Sequence, residues 1–180
     1  ILKELEITTD EFILCTIHRD TNTDDTTNLN AIFSAILSIQ KTSKLKIVLP
    51  LHPRTNEKMN LNLEEDLLLE IKQNRNIHII PPTGFLDIIS LEKNARLIIT
   101  DSGGLQKEAF FFQKPCVILR EQTEWIEIVK NGNALIAGAD EQKIGKCFEQ
   151  LMKKTDFTYP NLYGDGNAAN FICKKITEEL

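Results

Sequence analysis

Three short strings carry residues able to do chemistry. In "IITDSGGLQKEAFF" (98–111) an apolar run ends in Thr100, Asp101 and Ser102, and Gly103 and Gly104 then open a helical pattern. His18-Arg19 and His52-Pro53-Arg54 follow two other apolar runs. A nucleophilic Ser102 would need a base and a sharp elbow. His18 could supply the base, but nothing in the sequence fixes a triad. Thr100 stands where a G-x-S-x-G elbow needs its first glycine. Ser-Gly-Gly fits an anion cradle better. After a strand it offers free backbone N–H groups at a helix N-terminus, and two residues without Cβ let a phosphate approach the backbone closely. A structural tight turn remains an alternative on these residues alone. Glu108 lies farther along the same helix, where a carboxylate suits a neutral diol such as ribose.

The histidines differ in their settings. His18 and His52 fall at the same predicted sheet edge, each followed within two residues by Arg, which points to function. His78 lies inside an apolar strand pattern and reads as packed. The acids at 64–66 read as a solvated helix face, and Lys153 and Lys154 as a helix C-terminus. No His/Asp/Glu/Cys cluster has metal-ligand spacing, so no metal is expected.

These residues need a scaffold, and the pattern supplies one. Strands are expected at 12–18, 46–52, 76–82, 95–101, 115–120 and 133–138. Several are continuous apolar runs, as in parallel strands buried on both faces. Helices are expected at 28–40, 63–74, 84–93, 104–113, 123–131, 140–153 and 167–179. Leu29, Ile32, Phe33, Ile36 and Leu37 share one face of the first, and Asp140 is placed to cap the sixth. The alternation specifies an α/β class with a doubly wound, mostly parallel sheet. Ligands of such sheets sit beyond the carboxyl ends of the strands, where His18, His52, Asp101, Ser102 and Arg120 fall.

The 180 residues make one domain, 42% hydrophobic, with a net charge of −5. That charge argues against a nucleic-acid or anionic-membrane surface. Any anion must therefore meet a locally built site. The four cysteines, Cys15, Cys116, Cys147 and Cys173, form no C-x-x-C pair. They indicate a reduced, cytoplasmic chain. The sequence contains no apolar run of membrane-spanning length and no recognisable signal peptide. The start at Ile1, without Met, suggests a fragment.

"TIHRDTNTDD", "LPLHPRT", "IITDSGGLQKEAFFFQKPCVILREQTEWIEIVKNGNALIAG" and "YGDGNAA" strongly resemble the non-hydrolysing UDP-N-acetylglucosamine 2-epimerases. The resemblance spans nearly the whole chain, in order. It implies the C-terminal, nucleotide-holding Rossmann-like domain of a two-domain GT-B fold. The N-terminal domain, with most acid/base carboxylates, would lie outside this chain. It implies reversible C2 epimerisation by anti elimination of UDP and re-addition to the other face. No metal or redox cofactor is implied, and a homodimer of the full-length form is compatible with it.

By residue, the resemblance assigns Ser102, Gly103 and Gly104 to the diphosphate and Glu108 to the ribose hydroxyls. Ile88 takes the place where an aromatic usually stacks on uracil. It makes His18 the catalytic histidine that helps UDP leave. Arg19 and His52 match positions contacting a second, regulatory UDP-sugar. Two departures stand out: Trp125 replaces an arginine of the active cleft, and "HPRT" replaces "H-x-N-P". Both resemble a subgroup that includes 2-epimerases of UDP-2,3-diacetamido-2,3-dideoxyglucuronate. The alternatives are a GT-B glycosyltransferase and a non-catalytic nucleotide-sugar-binding module.

Overall fold

Six apolar runs form six strands: β1 Phe12–Thr16, β2 Lys46–Pro50, β3 Ile77–Ile80, β4 Leu97–Thr100, β5 Cys116–Ile118 and β6 Ala134–Ile136. The computed structural model describes residues 1–178. The strands make one sheet in the order β3-β2-β1-β4-β5-β6, with every neighbouring pair parallel. This is the expected α/β class, a Rossmann-like doubly wound sheet. The chain winds outward from β1 to β3, crosses back to β4 beside β1, and winds outward again to β6. The reversal between β1 and β4 opens a crevice at the carboxyl edge.

The helices are α1 Asp20–Thr23, α2 Thr26–Ser43, α3 Pro53–Asn62, α4 Glu65–Gln73, α5 Phe85–Asn94, α6 Gly103–Phe111, α7 Ile126–Lys130, α8 Glu141–Lys153 and α9 Ala168–Glu178. Strand side chains alternate between two cores. Ile13, Cys15, Ile47, Leu49, Leu97, Ile99 and Val117 pack with α2 and α8 on one face. Phe12, Leu14, Val48, Ile98, Cys116 and Ile118 pack with residues of α5, α6 and α7 on the other. Burial on both sides explains why the runs read as continuously apolar. Burying each such Ile, Leu or Phe is worth roughly 1.5–3 kcal/mol.

The strands end earlier than the apolar patterns do. His18, Asp101 and Arg120 lie just past β1, β4 and β5, where the chain leaves the sheet. The sequence expectation contains no α1 or α3. α1 is a single turn, and α3 buries only Thr55 and Met59, too sparse a stripe to show helical periodicity. The expected helix at 123–131 begins at Ile126, because residues 123–125 fold toward α6. Residue 179 of the expected last helix lies outside the described residues. Among the described residues, no helix is long and apolar enough to cross a membrane.

Candidate functional site

Asp101 is fully buried at the end of β4, directly beside the end of β1. Its carboxylate accepts from the backbone N–H groups of His18 at 3.1 Å and Arg19 at 3.0 Å. It also accepts from Asn22 Nδ2 at 3.1 Å and His18 Nδ1 at 2.9 Å. Asn22 donates as well to the Leu119 carbonyl, which ties in the end of β5. Arg19 Nε donates to the Asp101 carbonyl at 3.0 Å. One buried carboxylate thus organises three strand ends. Burial alone would raise its pKa. The His18 imidazole and the backbone N–H groups of Arg19 and His18 outweigh that and hold it below the usual carboxylate range.

This contact sets the chemistry of His18. A carboxylate can only accept, so Nδ1 carries a proton and Nε2 is left toward the half-exposed side. The hydrogen bond to Asp101 raises the His18 pKa against the opposing effect of desolvation. The net effect favours the charged imidazole more than in a free histidine. His52, in contrast, accepts from the Arg54 backbone N–H and caps α3, while Arg54 pairs with Asp24. Arg19 lines a cleft of about 720 Å³ with Asn22, Arg120, Gly138 and Asp140. His52 is not among the residues lining that cleft.

Ser102 caps α6, its Oγ accepting from Leu105 N at 3.4 Å. Its own N–H donates to Thr100 Oγ1 at 2.9 Å, and Thr100 Oγ1 lies 2.6 Å from Thr16 Oγ1. A serine and a side-chain network thereby fix where α6 begins. Gly103 and Gly104 are its first residues, and neither has a positive φ. A Cβ on Gly103 would come no closer than 3.5 Å to the protein, and one on Gly104 no closer than 3.7 Å. The fold therefore has room for a Cβ at either position. The absent Cβ atoms leave space above the N-terminal N–H groups.

That space has three polar neighbours, of which the sequence reading does not single out Glu124. The Gly103 Cβ position is 3.5 Å from Glu124 Oε2, 3.7 Å from Arg120 Nη1 and 3.9 Å from Trp125 Nε1. Arg120 and Glu124 form a bidentate pair at 2.8 and 2.6 Å. The guanidinium bond lowers the Glu124 pKa to about 2. Trp125 Nε1 donates to the Gly103 carbonyl at 2.7 Å, with the Lys107 ammonium 4.5 Å from its ring centroid. The i,i+4 spacing of Arg120 and Glu124 was the available signal, although they lie on a loop.

Glu108 is partly buried on α6, and Ile88 is partly buried on α5 among the second core's residues. His78 Nε2 has no hydrogen-bond partner among the described residues, and burial and Lys46 lower the His78 pKa. All four cysteines are free, with Cys173 exposed. Among the described residues, no cluster of three or more His, Cys, Asp or Glu could hold a metal.

The chain has known relatives. The family model described as UDP-N-acetylglucosamine 2-epimerase matches residues 1–177. A UDP-N-acetylglucosamine 2-epimerase of Methanococcus maripaludis is 42% identical over 94% of this chain and 45% of its own length. A UDP-2,3-diacetamido-2,3-dideoxy-D-glucuronate 2-epimerase of Pseudomonas aeruginosa is 41% identical over 94% of this chain and 45% of its own. The Methanocaldococcus jannaschii UDP-GlcNAc 2-epimerase, solved in complex with UDP-GlcNAc and UDP, superposes with a TM-score of 0.84. It is 33% identical and covered over 48% of its length by 98% of this chain. The chain spans about half the length of the curated relatives it matches. Matched by the family model along almost its whole length, with the same sheet and relatives above 40% identity, the chain belongs to the UDP-N-acetylglucosamine 2-epimerase family.

Proposed function

We propose that this chain is the nucleotide-holding half, within a GT-B arrangement, of an enzyme that epimerises a UDP-HexNAc at C2. The observation that carries the reading is the α6 N-terminus, where a Cβ on Gly103 or Gly104 would meet nothing nearer than 3.5 Å, at the same sheet edge as the His18–Asp101 pair. The diphosphate sits on the N–H groups of Gly103 and Gly104 beside Ser102. Glu108 takes the ribose hydroxyls, and Ile88 takes the uracil face. His18, protonated, donates from Nε2 to the diphosphate as the C1–O bond breaks and negative charge grows on UDP. A base outside the residues named here removes the C2 proton. Re-addition of UDP and a proton at the other face completes the exchange. Arg19 and His52 form part of a second UDP-sugar site, of which Arg19 lines the large cleft and His52 lies outside that lining.

His18 makes the reading testable by pH. Between pH 6 and 8 UDP-N-acetylglucosamine changes charge neither at its diphosphate diester nor at its uracil, so a change in affinity reports on the protein. Because the His18 pKa is raised, its charge persists above the ordinary histidine value and is lost as pH rises through the raised one. Calorimetric affinity should fall about three- to tenfold from pH 6 to pH 8, on the order of 1 kcal/mol. In His18→Gln it should be flat and weak throughout. No binding, or the same slope in the variant, would reject the reading.

Trp125 favours a second, narrower reading, that the sugar is modified at C3 or C6. Its indole N–H is already committed to the Gly103 carbonyl, and an indole cannot pair with an anion as an arginine can. In the enzyme containing both halves, kcat/KM should favour the diacetamido-glucuronate nucleotide over UDP-N-acetylglucosamine by about tenfold, roughly 1.4 kcal/mol. A preference for the plain sugar would exclude it.

A further inference from the structure

α5 and α6 lie side by side on one face of the sheet, and their contact contains two acids. Glu92, on the last turn of α5, is 0% exposed, and both of its carboxylate oxygens are buried without a hydrogen-bond partner among the described residues. An unpaired buried carboxylate is costly, and such a residue is normally paired or neutral. α5 packs on α6, and Glu108 of α6 lies close enough to act on Glu92 both through its charge and as a partner for a shared proton. Two carboxylates can only accept from each other. One shared proton converts that contact from a repulsion into a hydrogen bond.

We propose that Glu92 carries that proton and, as a positioning residue, donates it in a hydrogen bond to Glu108, so fixing the carboxylate for the ribose diol. The inference rests on the reading of Glu108 given above and extends it one residue inward, to a side chain that touches no ligand. Burial first, and then Glu108, raise the Glu92 pKa to about 8, so the acid keeps its proton at neutral pH. The arrangement has a physical purpose. A carboxylate on a half-buried helix face samples several rotamers, and a ribose diol needs one orientation. A buried donor behind it removes the others before the ligand arrives. Nothing in the helical pattern of 84–93 requires an acid at this fully buried position, where an apolar residue would pack without a partner.

The test is calorimetric titration of the whole chain with UDP and, separately, with pyrophosphate, at pH 7. Glu92→Gln keeps a donor toward Glu108 and should bind UDP within about twofold of the parent. Glu92→Leu removes the donor and should weaken UDP about tenfold while leaving pyrophosphate within about twofold. In a Glu108→Ala background, Glu92→Leu should cost nothing further, because Glu108 is its only route to the ligand. Glu92→Met replaces Leu if thermal melting shows that the Leu variant is not folded. Unchanged UDP affinity in Glu92→Leu overturns the proposal. So does an equal loss of both ligands, or an additive loss in the double variant. If the parent binds UDP but Glu108→Ala does not weaken it, the ribose assignment falls and takes this inference with it. A parent that binds no UDP would reject the nucleotide-site reading itself.

Discussion

Gly103→Val lowers UDP affinity about a hundredfold, roughly 2.7 kcal/mol, and leaves the chain folded. The two halves of that expectation have separate grounds. Gly103 has no positive φ, and its added Cβ would find nothing nearer than 3.5 Å, so the backbone tolerates a side chain. The remaining volume is what a phosphate would occupy to reach the N–H groups of the first turn. The γ-carbons of valine would also crowd the Arg120–Glu124 pair, whose nearest atoms lie 3.5 and 3.7 Å from that Cβ. Ser102→Ala should do less to UDP. Its hydroxyl caps Leu105 N, so the loss appears mainly as about 1 kcal/mol of stability. Titration with UDP and a thermal melt of each variant separate the effects. Parent-like UDP affinity in Gly103→Val would remove the anion cradle. A covalent adduct on Ser102 found by mass spectrometry would restore the nucleophile reading.

Asp101→Ala should have the largest effect on stability, about 3–5 kcal/mol, enough to unfold a marginal domain. The substitution orphans the backbone N–H groups of His18 and Arg19 and the imidazole N–H, and takes one of the two acceptors of Asn22. Asp101→Asn keeps the shape but turns an amide donor toward other donors, so it should also lose stability. The pair has a definite pH signature. The lowered Asp101 pKa adds stability that is present above the ordinary carboxylate value and lost as pH falls through the lowered one. The raised His18 pKa adds stability that is present below the ordinary histidine value and lost as pH rises through the raised one. Both contributions overlap in weakly acidic solution. Urea unfolding at a series of pH values should show the parent losing stability at either end and Asp101→Ala varying less. A substitution cost below about 1 kcal/mol would mean that the network is incidental.

The sheet was legible because a strand buried on both faces cannot hide its composition. Each of the six expected runs contains a strand, and each run overshoots because the apolar pattern continues into the turn. α3 was not legible, since helical conformation there rests on His52 as cap, Pro53 at its start and two buried residues. The Ser-Gly-Gly loop could be read because Gly residues at the start of a helix are a local signal. Asp101 could not be weighted correctly, since its importance lies in donors 79 to 83 residues away in sequence. Glu92 was hidden for a similar reason. In "SLEKN" it looks like a solvated residue, and only the packing of α5 on α6 turns it inward.

His18 and Arg19 are loop residues by conformation, yet their amides are held by a side chain rooted in the sheet. The rim of the crevice is therefore tied directly to the end of β4. A ligand arriving there meets a surface already shaped, with the imidazole and the guanidinium of Arg19 locked to opposite ends of one residue. Little ordering is left for the ligand to impose, so more of its contact energy survives as affinity.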